Sequence, residues 1–378
     1  MAIKCIDQLI TDRTALYHGD SVEILKAMPD NSAHYMVFSP PFASLYTYSN
    51  SERDLGNCKS RFEFFEHYAF VARELYRILK PGRVLSFHCM NLPSTKERDG
   101  FIGINDFRGG LIAAHERCLN CSKPRQSERD DSHGCKDYQG MIFHSEVCIW
   151  KDPVTAMQRT KAIGLLYKQL RKDSCLSRQG IPDYLVTMRK PGENKERVTK
   201  TFDGFPVSKW QNYASPAWND IDEMADEAAK TGIDVFQYIS AEVFASLSRT
   251  AKAEVYRIAF SNADKWPELY PSSPLWMNIN PSNTLQRESA REDNDERHIC
   301  PLQLQVIERG IELWTNPGDV VLSPYAGIGS EGYIALKNSR RFVGVELKKS
   351  YYEQARKNLM AAEQLKEQGS LLEAHDAP

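Results

Sequence analysis

Between Asp319 and Glu346 the chain spells a buried-type strand, a glycine-bearing turn, a helix and a second strand, and that order admits few folds. Asp319-Val320-Val321-Leu322 is the first strand, Ser323-Pro324-Tyr325-Ala326-Gly327-Ile328-Gly329-Ser330 the turn, and Glu331 to Lys337 the helix. Arg341-Phe342-Val343-Gly344-Val345 is the second strand, closed by Glu346. Short apolar runs with few polar interruptions suit strands buried on both faces, the condition of a parallel sheet covered by helices. The N-terminal part repeats the alternation. Ala15 to His18 reads as a strand, Gly19-Asp20 as a turn, Ser21 to Met28 as a helix capped by Asp20 or Ser21, and His34 to Phe38 as a strand, so a βαβ unit is expected there. Apolar residues at helical spacing (Phe62, Phe65, Tyr68, Val71, Leu75, Ile78) predict a helix over 61–80, stopped by Lys80-Pro81-Gly82, before a strand at Val84 to His88. Alternation at both ends predicts one doubly wound α/β sheet, mostly parallel, with helices on both faces.

Two loops of that sheet carry chemistry. In the turn 323–330, Gly327 and Gly329 allow close backbone approach to a ligand, and Glu346 ends the next strand where its carboxylate can accept from ribose hydroxyls. The third glycine of the dinucleotide fingerprint is missing, and so is the Lys-Ser/Thr of a P-loop. That disfavours NAD and ATP and leaves S-adenosylmethionine as the adenosine cofactor. The other loop, Ser39-Pro40-Pro41-Phe42, leaves the strand ending at Phe38 at the carboxyl edge, where open α/β sheets bind ligands. Its two prolines lack N–H donors, so nearby carbonyls can accept from a target amino group without local competition. Ser39 adds a side-chain acceptor, and Phe42 offers a face for an extruded base.

These motifs, in this order, resemble the permuted amino-methyltransferases of DNA, in which the catalytic turn precedes the cofactor loop. Ser39 to Phe42 matches the catalytic motif of that family, Ser323 to Gly329 its Asp-Pro-Phe-x-Gly-x-Gly cofactor motif, and Glu346 its ribose-binding acid. Gly19-Asp20 is similar to the segment flanking the adenine ring, and Arg297-His298-Ile299-Cys300-Pro301 to the motif that helps hold the methionine end. The resemblance implies a Rossmann-like methyltransferase fold and an S-adenosylmethionine-dependent enzyme that methylates an exocyclic amino nitrogen of a flipped-out base. Its implied catalytic residues are Ser39, Pro40, Pro41 and Phe42. The cofactor set is Asp20, Ser323, Pro324, Tyr325, Gly327, Gly329, Glu346, His298 and Pro301. Two departures stand out: Ser323 replaces the usual Asp of the cofactor motif, and Ser39 the Asp common in adenine-modifying members. Serine at 39 goes in this family mostly with N4 of cytosine; N6 of adenine is the alternative. A nucleotide-dependent oxidoreductase or an inactive DNA-binding module would share the sheet but leaves Ser39 to Phe42 without a reason.

The implied division is a catalytic half over 1–158 with a polar insert near 116–140, a target-recognition region over 159–290, a cofactor half over 291–362, and a disordered tail over 363–378. Net charge is only −2, so a nucleic-acid surface requires basic residues concentrated locally. They cluster from Arg159 to Lys200, and Arg171, Lys172, Arg178, Arg189 and Lys190 are the expected contacts to double-stranded DNA. Tyr184, Phe202, Trp210, Tyr213 and Trp218 are candidate base-reading or wedge residues in the same region. An acidic helical insertion over 219–270 should repel phosphate and could bind a protein partner; a homodimer is also compatible. Cys118, Cys121, His133 and Cys135 have a tolerable spacing for zinc, but free cysteines are the default among nine, and metal-free chemistry is expected. His88 and Cys89 read as packing residues. No apolar run approaches the ~20 residues of a membrane span, and Met1 to Asp7 lacks a signal-peptide pattern, which together predict a cytoplasmic protein.

Overall fold

A computed structural model describes residues 3–42, 54–122, 139–149, 167–177, 180–218, 285 and 302–375. In chain order the elements are β1 (Asp7–Ile10), β2 (Thr14–His18), α1 (Ser21–Lys26), β3 (Ala33–Phe38), α2 (Arg61–Ile78), β4 (Leu79–Met90), β5 (Leu92–Ser94), α3 (Lys96–Asp99), β6 (Gly103–Asn105) and α4 (Phe107–Glu116). They continue with β7 (Ile142–Ile149), α5 (Tyr167–Lys172), β8 (Asp183–Arg189), α6 (Val207–Tyr213), β9 (Ala217–Trp218), α7 (Leu304–Trp314), β10 (Val320–Ser323), α8 (Ser330–Lys337), β11 (Arg341–Glu346) and α9 (Lys349–His375).

Among the described residues, nine strands form one sheet in the order β1-β2-β11-β10-β3-β4-β8-β7-β9, while β5 and β6 pair separately. The block β2, β11, β10, β3, β4 is parallel throughout, and β1 and β8 join its two sides antiparallel. The expected βαβ unit at the N-terminal end is therefore opened: β2 and β3 run parallel, but β11 and β10 from the far end of the chain lie between them. All six residues of β3 are buried, as a central parallel strand requires. Met36 and Phe38 face a cluster with Ile24 of α1, Leu75 of α2 and Leu111 of α4. Tyr35 and Val37 face the other cluster, with Ile311 of α7, Ala335 of α8 and Leu359 of α9. This is the doubly wound arrangement, with the period-2 alternation of one strand serving both cores.

Several boundaries differ from the sequence reading. The buried stripe of α2 is Phe64, Tyr68, Val71, Leu75 and Ile78; Phe62 faces solvent and Phe65 is half-buried. Lys80-Pro81-Gly82 does not end an element but forms an irregular part of β4, with a register shift against β3. Gly82 is needed there: its φ is +71°, and an added Cβ would lie 2.4 Å from the Asn194 backbone nitrogen. Residues 183–189, within the expected recognition region, form β8, an interior strand between β4 and β7; Leu185, Val186 and Met188 are fully buried. The tail expected to be disordered from 363 is helical through His375. Glu363 fastens it, accepting from the hydroxyls of Thr11 and Thr14, each at 2.6 Å. The acidic insertion over 219–270 lies outside the described residues. No helix among the described residues is long and apolar enough to cross a membrane.

Candidate active site

Four neighbouring parallel strands, β2, β11, β10 and β3, end at one edge of the sheet. Their following loops are Gly19-Asp20, Glu346 to Lys348, Pro324 to Gly329, and Ser39 to Phe42, and all four line a single cavity of ≈ 410 Å³ apart from Gly19 and Gly329. Backbone hydrogen bonds lock the loops to one another. Gly19 N donates to Glu346 O (3.0 Å), Ala326 N to Val345 O (2.8 Å), and the Ser21 hydroxyl to Pro324 O (2.6 Å). Asp20 caps α1, its carboxylate accepting from Glu23 N at 3.0 Å.

Glu346 organises the glycine-loop side of the cavity. Its two carboxylate oxygens accept from Gly327 N and Lys348 N, each at 2.8 Å, which leaves each oxygen a further lone pair. Burial pushes its pKa up to about 7, against the lowering effect of those backbone donors. Glu331, in the first turn of α8, is also buried and is pushed up to about 8, chiefly by desolvation. Gly329 sits before α8 with φ +86°, and a Cβ there would come within 3.2 Å of Ala355, so the close approach of α8 to α9 needs glycine. Ser323 Oγ and Tyr325 Oη are buried without a hydrogen-bond partner among the described residues.

On the other side, Ser39 borders the cavity and its hydroxyl meets His88 Nδ1 at 2.7 Å and, more loosely, His88 O at 3.4 Å. His88 Nε2 meets Asp183 Oδ2 at 2.9 Å. His88 and Asp183 are 2% and 1% exposed, so the pair is cut off from solvent behind Ser39. His88 was read from sequence as a packing residue, and Asp183 was not singled out. The structure makes both polar partners of the Ser39 turn, because antiparallel β8 delivers its first residue to the same edge where β4 ends. Phe42 is 1% exposed, edge-on to His88 and tilted against Phe107. It forms a wall of the cavity where a freely offered stacking face was expected.

The residues expected to contact DNA divide. Arg171 and Lys172 end α5 on the surface. Arg189 and Lys190 do not reach the site: β8 pairs Asp183 with Met90 and Arg189 with Val84, so these two residues lie at the opposite edge, about 20 Å away at strand rise. Lys190 is buried, donating to Leu79 O (2.7 Å) and Asn31 Oδ1 (2.9 Å) over the ring of Tyr76, and burial lowers its pKa to about 8. It cannot bind phosphate. Lys200 likewise donates to Thr315 O at 2.7 Å, capping the carbonyl end of α7, and Lys209 pairs with Glu312. The fold thus spends part of the basic cluster on its own helix end. Phe202 and Trp210 are exposed, whereas Tyr213 is tied to Glu312 and Tyr184 lies under Arg108.

Arg178, His298 and Pro301 lie outside the described residues, as do His133 and Cys135. Cys118 and Cys121 lie within them, and the Cys118 thiol, although burial raises it, is drawn down to about 7 by backbone donors from Gln139, Asn120 and Cys121. His34, Glu196 and Asp319 bring ligand atoms together at the far edge. Lys80 Nζ already sits 2.9 Å from His34 Nε2 and Arg83 Nη1 3.1 Å from Asp319, so cations of the protein fill that cluster.

The sequence model of a family described as DNA methylase matches residues 33–357. Over 70 residues, 18% of this chain, the protein is 33% identical to the DNA adenine methyltransferase YhdJ of Escherichia coli K12; over 56 residues, 15% of the chain, it is 41% identical to the type II methyltransferase M2.DpnII of Streptococcus pneumoniae. These stretches span 24% and 21% of the two relatives. In fold, the chain is similar to the Thermus thermophilus protein TTHA0409 solved with S-adenosyl-L-methionine, with a TM-score of 0.52 and 16% identity over 93% of this chain and 96% of that one.

Proposed function

We propose, since this chain belongs to the DNA methylase family, that it transfers a methyl group from S-adenosylmethionine to an exocyclic amino nitrogen of a base flipped out of double-stranded DNA, with N4 of cytosine as the target. The observation that carries this reading is the convergence of the Ser39 to Phe42 turn and the Glu346-anchored glycine loop on one cavity. At ≈ 410 Å³ that cavity falls within the roughly 300–1,000 Å³ of small-molecule sites. Its donor set suits S-adenosylmethionine. Glu346 has lone pairs to spare for ribose hydroxyls, Asp20 lines the same cavity for the adenine side, and Tyr325, also in the lining, contributes a buried hydroxyl that lacks a partner among the described residues. His298 and Pro301, shortly before α7, are assigned the methionine end. When bound, the cofactor supplies an electrophilic methyl group.

The protein's part is to hold the amino group. The lone pair of an aromatic amine is delocalised into its ring, so the nitrogen becomes a nucleophile only as it turns tetrahedral. Ser39 Oγ and the carbonyl of Pro40 are the two acceptors that can hold both N–H bonds out of the ring plane, and Pro40 and Pro41 offer no competing N–H. Phe42 walls the base pocket and excludes water. A target inside a duplex is beyond reach of this recessed turn, hence base flipping. Arg171, Lys172 and Arg178 are the remaining candidates for phosphate contact.

A neutral serine at position 39 supports cytosine, and adenine N6 is the second reading, favoured by the similarity to YhdJ. Incubation with isotope-labelled S-adenosylmethionine and mixed-sequence DNA, then nucleoside mass spectrometry, decides. N4-methylcytosine supports the reading, N6-methyladenine replaces its target, and no methylated nucleoside overturns it.

A further inference from the structure

We propose that His88 and Asp183 are positioning residues that orient the Ser39 hydroxyl and draw off the proton released on amino methylation. The inference rests on the methyltransferase reading above. Its basis is a continuous chain of two short contacts, Ser39 Oγ to His88 Nδ1 at 2.7 Å and His88 Nε2 to Asp183 Oδ2 at 2.9 Å. The three residues come from three parts of the sequence, and only the first borders the cavity. A histidine 2% exposed, bonded end to end between a hydroxyl at the reaction site and a carboxylate 1% exposed, exceeds what packing requires.

The direction of the hydrogen bonds follows from the carboxylate, which accepts only. Nε2 must then carry the ring proton and donate it to Asp183, leaving the Nδ1 lone pair to accept from the Ser39 O–H. With its own hydrogen turned inward, Ser39 presents both oxygen lone pairs to the cavity. That is the orientation a serine needs in order to accept an N–H from the target amine; with the opposite tautomer it would face a donor behind and point its hydrogen at the base.

The same chain balances the proton. Once the amino nitrogen has gained a fourth bond it carries a positive charge, and one N–H must break. That proton passes to Ser39 Oγ as the original hydroxyl proton passes to His88 Nδ1, so Ser39 is regenerated and the charge rests on an imidazolium. The buried Asp183 carboxylate stabilises that cation at 2.9 Å, where the low local dielectric strengthens the attraction. The imidazolium returns its proton to solvent through Ser39 after product leaves. Other charged groups near this end of β4 are Asp106 and Arg108 at the start of α4 and Glu146 on β7, and the last two are paired with each other at 2.5 Å. Asp183 is therefore the anion in direct contact with the ring.

Ring-nitrogen NMR of histidine-15N-labelled protein, combined with steady-state kinetics, tests this. The wild-type ring is expected as the neutral Nε2–H form, assigned by the signal lost in His88→Gln. Should that variant fail to fold, Ser39→Ala assigns the same ring by removing its bonded hydroxyl. His88→Gln keeps an acceptor for Ser39 but cannot store a proton, and Asp183→Asn frees the tautomer. Both are expected to lower kcat about 10²-fold, within the range of general acid–base effects, with KM for DNA and cofactor affinity little changed. The pH profile of kcat should also differ between His88→Gln and the wild type. An Nδ1–H ring in the wild type overturns the proposal, as does wild-type kcat with an unchanged pH profile in both variants. Absence of methylated product from the wild type instead removes the methyltransferase reading, so the two failures are distinguishable.

Discussion

Cofactor affinity should fall about tenfold when the pH drops from 8 to 6, and Glu346 should be the cause. The carboxylate is buried at the end of β11, where it borders the cavity, and desolvation raises its pKa to about 7. A bound ribose donates its hydroxyls, so the ionised form is the better acceptor, and binding is strongest above pH 7 and weakens as the group takes a proton. With a pKa of about 7, the ionised fraction is about nine-tenths at pH 8 and about one-tenth at pH 6, a ratio near ten in dissociation constant if only that form binds. Replacing the residue by Gln removes the titration. It also turns an amide N–H₂ toward Gly327 N or Lys348 N, each of which now donates to the carboxylate at 2.8 Å. One loop hydrogen bond is lost, and charge-assisted bonds to the ribose become neutral. At ~1.5–3 kcal/mol for a hydrogen bond to a charged group, the variant should bind about 10- to 100-fold more weakly at pH 8. Isothermal titration calorimetry of S-adenosylmethionine at pH 6, 7 and 8 and constant ionic strength measures both effects. Glu331→Gln serves as the control, because Glu331 is a second buried carboxylate that feels the Glu346 charge across the loop. A wild-type dissociation constant that is flat across this range, or a Glu346→Gln variant that binds like the wild type, would refute the assignment.

Glu331, pushed up to about 8, binds a proton in the folded state through a window where the unfolded chain has lost it, so stability declines as pH rises from about 4.5 to about 8. Glu331→Gln should therefore be more stable than wild type at pH 8, by about 2–4 kcal/mol, and nearly equal at pH 4; chemical denaturation at the two pH values reads this. Gly329→Ala places a side chain at φ +86° and within 3.2 Å of Ala355. A cost of about 1–2 kcal/mol for the left-handed backbone alone should appear as a lower thermal midpoint together with weaker cofactor binding. Lys190→Met leaves Leu79 O and Asn31 without their ammonium partner. Stability should drop by about 1–3 kcal/mol while DNA affinity and its salt dependence, followed by fluorescence anisotropy, stay unchanged; the reverse pattern would return Lys190 to the DNA surface.

The strands and turns nearest the site were legible because their signals are local. Gly329 announces a left-handed backbone, Glu346 a polar stop to an apolar strand, and Ser39-Pro40-Pro41 a strand end, each within a few residues. Asp20 could be expected to cap α1 for the same reason, and does. Charge gave a weaker guide. Lys190 and Lys200 look in sequence like the solvated residues Arg171 and Lys172, and only their depth and partners distinguish a helix-end cap or a buried donor from a phosphate contact. β8 was missed because Pro182-Asp183 and Thr187 interrupt its apolar run, inside a stretch whose basic and aromatic composition suggested a surface.

The Ser39 to Phe42 turn and the Pro324 to Gly329 loop are nearly three hundred residues apart, and the chain alone suggested a chemistry for each while leaving open whether they meet. Tertiary structure decided that by inserting β11 and β10 between β2 and β3, since parallel strands carry all their carboxyl ends, and hence all four loops, to one edge. It also decided what stands behind Ser39. A serine in a Pro-Pro turn is the same in sequence whether it faces solvent or a buried histidine; the Asp183–His88–Ser39 chain exists because β8 runs antiparallel to β4 and begins where β4 ends. Backbone conformation is set by neighbours in the chain, whereas the protonation and direction of a hydrogen bond are set by neighbours in space.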